Sequence, residues 1–279
     1  MGDLFNQVKL TFGGLYDTHC HLDATEFDAD RQEVIERARQ AGVSAILIPA
    51  VEVANFRRVR DLAHSLPEGF YAIGIHPMYV HKARDEDLDL VQAFVAEHLD
   101  DPKLVAIGEI GLDFFVQDIA RGSARDRQIL FYRRQLESAR QMSLPVLLHV
   151  RKSQDELLKW LRREGSPGGI AHAFNGSHQQ AMQFIEQGFA LGIGGAMTFA
   201  RALQIRRLAS ELDLSSLVLE TDAPDIAPAW FERAQRNEPG EVAGVARALA
   251  ELRGCDVKTV VLKTAATARR VVGRLRTAN

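Results

Sequence analysis

Cysteine is scarce in this sequence: only Cys20 and Cys255 carry a thiol, and they lie far apart in the 279 residues. That excludes a disulfide-framed fold and points to a reduced, cytoplasmic protein. No apolar run approaches the ~18 residues of a membrane span. The stretch Met1-Gly2-Asp3-Leu4-Phe5-Asn6 has no basic segment ahead of an apolar one, so no secretory leader is visible. Asn6 stands where a myristoylation motif needs Ser or Thr. No G-x-G-x-x-G follows any apolar run, which leaves a dinucleotide-binding fold without support. A surplus of positive charge is missing as well. Lys and Arg number 34 against 37 Asp and Glu, a net charge of −3, which does not advertise a nucleic-acid binder. A local basic rim can still steer phosphates while the remainder stays acidic. With no low-complexity tract, linker or internal repeat, residues 1–279 read as a single domain.

What is present is alternation. Short aliphatic runs recur at 15–20, 43–49, 70–75, 104–110, 144–150, 169–173, 189–193 and 217–220. Each is nearly free of charge, as strands buried on both faces are. Longer stretches lie between them, such as 31–40, where Val34, Ile35 and Ala38 recur at helical spacing. Segments 85–99, 126–142, 155–163 and 178–187 share that pattern. Ala41-Gly42, Glu164-Gly165 and Gln187-Gly188 read as helix ends leading into the next strand. Eight strands alternating with helices predict an α/β fold, a (β/α)8 TIM barrel with its active site at the C-terminal mouth of the strands. The chain length suits such a barrel, which typically takes ~250 residues. The connections 111–123 and 222–239 are expected to cover that mouth.

The residues that close the runs carry the chemistry. The first run ends in His19-Cys20-His21, the third in His76-Pro77, the fourth in Glu109, the fifth in His149, the sixth in His172 and the eighth in Asp222. Two rings at i and i+2 of an extended stretch share one face and can hold one cation. Cys20, between them, points the other way and is not a nucleophile. Buried acids are rare unless paired, and scattered structural histidines would not favour strand ends. A shared metal site at one rim of the barrel is the expectation. Imidazole and carboxylate ligands without a thiolate cluster suit Zn, Mn, Co or Fe, and Mg where carboxylates dominate. The donors exceed what one tetrahedral ion needs. Two divalent ions about 3.5–4 Å apart fit better, with Glu109 as the bridge between them. Asp222 would bind one ion and accept the proton of the attacking water.

These residues sit in motifs that resemble the TatD family of metal-dependent deoxyribonucleases. The motifs are Asp17-Thr18-His19-Cys20-His21-Leu22-Asp23, Gly74-Ile75-His76-Pro77, Gly108-Glu109-Ile110-Gly111-Leu112-Asp113 and Leu148-His149-Val150-Arg151. They continue as His172-Ala173-Phe174-Asn175-Gly176-Ser177, Glu220-Thr221-Asp222-Ala223-Pro224 and Arg236-Asn237-Glu238-Pro239. The resemblance runs in order over nearly the whole chain. It implies an amidohydrolase-like TIM barrel with His19, His21 and Asp222 on one ion, His149 and His172 on the other, and Glu109 between. It also implies that His76 contacts the substrate phosphate or the nucleophilic water, alongside Asp222 and Glu109 in catalysis. The chain departs from the family at Val116, where relatives often carry a basic residue, in Glu232-Arg233-Ala234-Gln235, and at Thr267.

Several residues keep two readings. Arg151 and Lys152 hold a phosphate at the rim, or begin a solvated helix. Phe114, Phe115, Tyr79 and Trp230 stack on bases, or pack a lid. Asp113 orients Arg151 or a ligand histidine, and Asp17 orients a neighbour in the same way. His64, His81, His98 and His178 read as surface residues. Three functions compete. The first is a two-metal phosphodiesterase acting on DNA, a 3′–5′ exonuclease on single strands. The second is a metal-dependent amide, ester or lactone hydrolase acting on a small or RNA-linked substrate. The third is a non-catalytic metal-binding protein. None of them calls for a membrane or an obligate protein partner.

Overall fold

The computed structural model describes residues 14–232 and 235–276; residues 1–6 and Arg233-Ala234, discussed above, lie outside them. Eight strands form one parallel sheet in sequence order. They are β1 (Leu15–Asp17), β2 (Val43–Pro49), β3 (Gly69–Ile73) and β4 (Leu104–Asp113), then β5 (Val146–Arg151), β6 (Gly169–His172), β7 (Phe189–Ile193) and β8 (Leu217–Leu219). Helices alternate with them: α1 (Arg31–Gln40), α2 (Phe56–His64), α3 (Asp87–Glu97) and α4 (Gly122–Gln141). The rest are α5 (Gln154–Glu164), α6 (His178–Glu186), α7 (Leu203–Glu211), α8 (Val242–Arg253) and α9 (Val257–Val271). The first and last strands meet through Thr18 N–H to Leu219 O at 3.0 Å and Asp222 N–H to His19 O at 2.9 Å. The chain is a (β/α)8 barrel. Among the described residues no helix is long and apolar enough to cross a membrane.

A period of two divides the strand residues between two apolar clusters. Ala45 and Leu47, Leu147, Ile170, Ala190 and Val218 belong to the cluster that fills the barrel. The alternate residues Ile46 and Ile48, Leu148, Ala171, Leu191 and Leu219 belong to the layer under the helices. Ala265 and Ala268 of α9, with Val272 and Leu275, join the inner cluster and close the end at which the strands begin. The other end is the mouth. There the next inward positions of β5, β6 and β7, and the one just past β8, are His149, His172, Gly192 and Glu220.

Two strand boundaries differ from the sequence reading for identifiable reasons. β1 stops at Asp17, so His19 and His21 lie beyond the regular ladder, and Cys20 continues only as an isolated parallel bridge to Ala223. Asp17 accepts from the backbone N–H of Thr221 at 2.9 Å, which takes the place of strand pairing there. β4 runs through to Asp113, past Gly111, which the sequence assigns to the mouth connection. Gly111 has φ +144°, and a Cβ there would lie 2.2 Å from His149 O. Here the glycine marks a close approach between strands and not the start of a loop. α4 begins at Gly122, four residues ahead of the expected 126, because its first turn carries no apolar periodicity to announce it.

Candidate metal centre

Glu109 is the hub of the mouth. Its side chain is 1% exposed, and its two oxygens face two different sets of imidazoles. Oε2 lies 3.1 Å from His19 Nε2 and 3.4 Å from His21 Nε2. Oε1 lies 3.0 Å from His149 Nδ1, 3.3 Å from His76 Nε2 and 3.8 Å from His172 Nε2. Asp222 Oδ1 completes the ring at 3.5 Å from His19, 3.7 Å from His21 and 3.9 Å from His172. All seven side chains singled out in the sequence therefore meet. Their donor atoms form three overlapping groups: His19, His172 and Asp222; His19, His21 and Glu109; His76, Glu109 and His149. His172 stacks on His19 with ring centroids 3.7 Å apart, so it stands between the two halves of the cluster.

Partners behind the rings decide which nitrogen faces inward. His149 Nε2 lies 3.2 Å from Asp113 Oδ2, which leaves Nδ1 for the centre. His172 Nδ1 lies 3.2 Å from Glu220 Oε1, which leaves Nε2. His76 differs. Its Nδ1 accepts the backbone N–H of Met78 at 3.1 Å, so Nε2 keeps its proton and points into the cluster as a donor. Asp17 holds the backbone under His19, accepting from His19 N–H at 3.3 Å and from the Thr221 hydroxyl at 2.6 Å.

The residues present fit a cation. Taking a carboxylate out of water costs several kcal/mol unless opposite charge compensates it. Burial alone would raise Glu109, yet the imidazoles of His76 and His19 hold it well below the usual range. Glu109 Oε2, His19 Nδ1, His172 Nδ1 and Glu220 Oε2 are buried without a hydrogen-bond partner. Burial keeps His19 neutral, with its pKa well below the ordinary value. Burial also works against charge on His21 and His172, but the surrounding carboxylates outweigh it and lift them to about 9 and about 10. Lone pairs converging on a shielded point are what a divalent ion satisfies.

The sequence model of a family described as TatD-related DNases matches residues 16–273. This chain belongs to that family. It is 41% identical over 238 residues to an uncharacterized metal-dependent hydrolase, YjjV, of Escherichia coli K12, covering 85% of this chain and 89% of that one. The crystal structure of the E. coli YjjV protein, a TatD homolog, superposes with a TM-score of 0.86 at 37% identity, covering 92% of this chain and 97% of that one. A Rahnella protein named a 3′-5′ ssDNA/RNA exonuclease is 34% identical over 251 residues, 87% of this chain and 92% of its own. The chain is thus a metal-dependent hydrolase of the TatD family.

Within this TatD-family barrel the remaining expectations separate. Asp113 serves both of its readings, His149 at 3.2 Å and Arg151 at 3.7 Å. Phe114 packs partly buried against the core with the Arg125 guanidinium 4.2 Å over its ring, whereas Phe115 is 51% exposed beneath Arg151 at 4.0 Å. The more exposed of the two is Phe115. Trp230 packs inward and donates to Glu241 at 2.7 Å. Thr267 is buried and donates to Lys263 O and Leu214 O, a helix-anchoring role. Glu220 was not singled out by the sequence. Its carboxylate occupies space on β7 that only a glycine leaves, since a Cβ on Gly192 would lie 2.1 Å from Oε2. A glycine at an inward position of a mouth-facing strand, opposite an acid, is the signal that points to it.

Proposed function

We infer that the chain is a two-metal phosphodiesterase that removes nucleotides from the 3′ end of single-stranded DNA. One observation carries this reading: the two oxygens of Glu109 face two separate sets of imidazoles, as a carboxylate shared by two ions must. His19, His21 and Asp222 would hold one ion and His149 and His172 the other, both drawn from Zn, Mn or Mg. Bound there, such a pair supplies Lewis acidity, activating water and offsetting charge on the phosphate oxygens.

The side chains supply the rest. Asp222 is 14% exposed, more open than Glu109, so its carboxylate would face the water whose proton it takes. Burial lowers His76 to about 4, so it stays neutral and its Nε2–H donates to a non-bridging phosphate oxygen. Arg151, exposed at the rim beside Asp113, pairs with a neighbouring phosphate. The name of the Rahnella relative supports the polarity and the single-stranded substrate. Two unpaired cysteines, one of them buried, suit a reducing cytoplasmic setting.

The test strips the protein of metal, reloads it with Mg, Mn or Zn, and incubates each form with a 5′-labelled single-stranded oligonucleotide. A ladder of 3′-shortened products, absent in Asp222→Asn, is the expected result. Two bound metals without cleavage would overturn the nuclease reading and direct the search to amide, ester or lactone substrates.

A further inference from the structure

Charge is unevenly placed on this barrel. Segment 114–165, which spans the connection after β4, then α4, β5 and α5, carries eleven Lys or Arg against six Asp or Glu. The preceding segment 80–103, built around α3, carries three against seven, and segment 14–40 carries three against seven again. In a chain with 34 cations and 37 acids, such a basic sector is a matter of placement and not of composition.

α4 and α5 both start at the mouth, because each follows a strand whose far end bears part of the metal cluster. Side chains tie the two helices into a seam. Arg125 reaches Glu156 at 3.4 Å and Arg133 reaches Glu164 at 2.6 Å. Arg133, Lys159 and Arg163 gather over the Trp160 ring at 4.0, 4.8 and 5.3 Å. From Arg121 to Arg140 the seam is about 28 Å long at ~1.5 Å per helical residue. Arg121, Arg140, Lys152 and Arg163 are exposed along it. None of these four has a carboxylate within ion-pair distance among the described residues, unlike Arg31, Arg37 and Arg236 on the acidic side of the mouth. At its upper end the seam opens into a cavity of about 440 Å³ whose lining includes Phe114, the cations Arg121, Arg125 and Lys152, and the acids Asp155 and Glu156. Phe115 and Arg151 stand between that end and the metal cluster, an apolar ring face beside a cation.

We propose that the α4–α5 seam is the track for the uncleaved part of a single-stranded nucleic acid whose 3′ end is held in the metal cluster. This rests on the phosphodiesterase reading above. Unpaired cations in a row release counterions when they meet successive phosphates, which favours a polyanion over a compact anion. Phe115 offers the stacking face for a base leaving the mouth. Trp160 is buried under its cations and positions them. A second basic stretch, 241–276, has eight Lys or Arg to three acids, but its α9 closes the opposite end of the barrel and serves as the control.

The experiment uses the metal-reloaded enzyme on 5′-labelled oligothymidylates of 4 and 16 nucleotides over a range of salt, with bis(p-nitrophenyl) phosphate as a diester too short to reach the seam. The expected kcat/KM is at least tenfold higher for the 16-mer, carried by KM. Its dependence on log salt should be steeper by about 0.7 for each extra phosphate contacted. Arg121→Glu/Arg140→Glu/Lys152→Glu/Arg163→Glu should erase the length dependence. Lys263→Glu/Arg270→Glu, on and beside the closed end, should keep it. Thermal melts of both variants establish that they fold. Equal KM and equal salt slopes for the two oligonucleotides in the unmodified enzyme overturn the seam while leaving the nuclease intact. Failure to cleave either oligonucleotide or the small diester overturns the reading beneath it.

Discussion

The two halves of the candidate metal cluster hold their imidazoles by different means. On the β5–β6 half each imidazole has a carboxylate beside its own ring at 3.2 Å, His149 hydrogen-bonded to Asp113 and His172 facing Glu220 within ion-pair distance but outside hydrogen-bond geometry. On the β1 half His19 Nδ1 is buried without a partner, and Asp17 grips the backbone instead. The difference follows from the strands. His149 and His172 stand in regular ladders, with a long β4 alongside to carry Asp113 and a glycine on β7 to admit Glu220. β1 is three residues long, so its ligands sit on irregular chain that must itself be fixed. An acid behind a ligand ring raises its basicity and sets its tautomer, whereas an acid under the backbone sets position alone.

Four experiments would break or sharpen that contrast. Glu109→Gln touches both halves at once and should have the largest effect, a loss of about 10³-fold or more in kcat together with reduced metal content. Elemental analysis beside turnover checks it, and full metal content with full activity would remove Glu109 from the bridge. Asp113→Asn and Glu220→Gln strike only the ring-backed half and should each cost about 10–100-fold in metal affinity or activity. If both titrate with metal as the unmodified protein does, the asymmetry has no functional weight.

Acidity gives a third, intermediate effect. In the metal-free protein His21 and His172, lifted to about 9 and about 10, hold protons at pH 7 that an incoming ion displaces. Apparent metal affinity should therefore rise with pH, about tenfold per unit for each proton released, until the pH passes those values. Calorimetry in two buffers of different ionisation enthalpy counts the protons; a count of zero would show that both rings are already neutral at pH 7.

The smallest effect belongs to Asp17→Asn. Burial raises Asp17 from 3.8 to about 8, so between those values the folded state keeps a proton that the unfolded chain has released. Stability from this group is complete below about pH 4 and declines as pH rises toward 8. The amide variant does not titrate. Its urea midpoint in metal-free protein should change less than the parent's between pH 5 and pH 8, with activity within tenfold. Parallel pH curves for the two proteins would show that Asp17 is ionised throughout.

The strands and the converging donors were legible because each signal is local. The run 189–193 coincides with β7 and 43–49 with β2, since aliphatic stretches without charge have few alternatives in an alternating chain. His19, His76, Glu109, His149, His172 and Asp222 were legible from their place at the ends of such runs. The backing of His172 was not. Glu220 and Gly192 are 28 residues apart, and their relation exists only because β7 and β8 are neighbours. Which of Phe114 and Phe115 is the more exposed was equally hidden. Two adjacent aromatics are equivalent on paper, and packing of Phe114 under Arg125 of α4 separates them.

By itself the chain determined its fold class and the set of donors that meets at the mouth, because periodicity and strand-end chemistry are properties of short stretches. Only the closed barrel decided which nitrogen of each imidazole faces inward and that the two oxygens of Glu109 face different sets of imidazoles. The closed barrel also turned a net acidic composition into one basic seam beside the mouth. Those depend on side chains brought together across distant strands and helices, and no local pattern encodes that proximity.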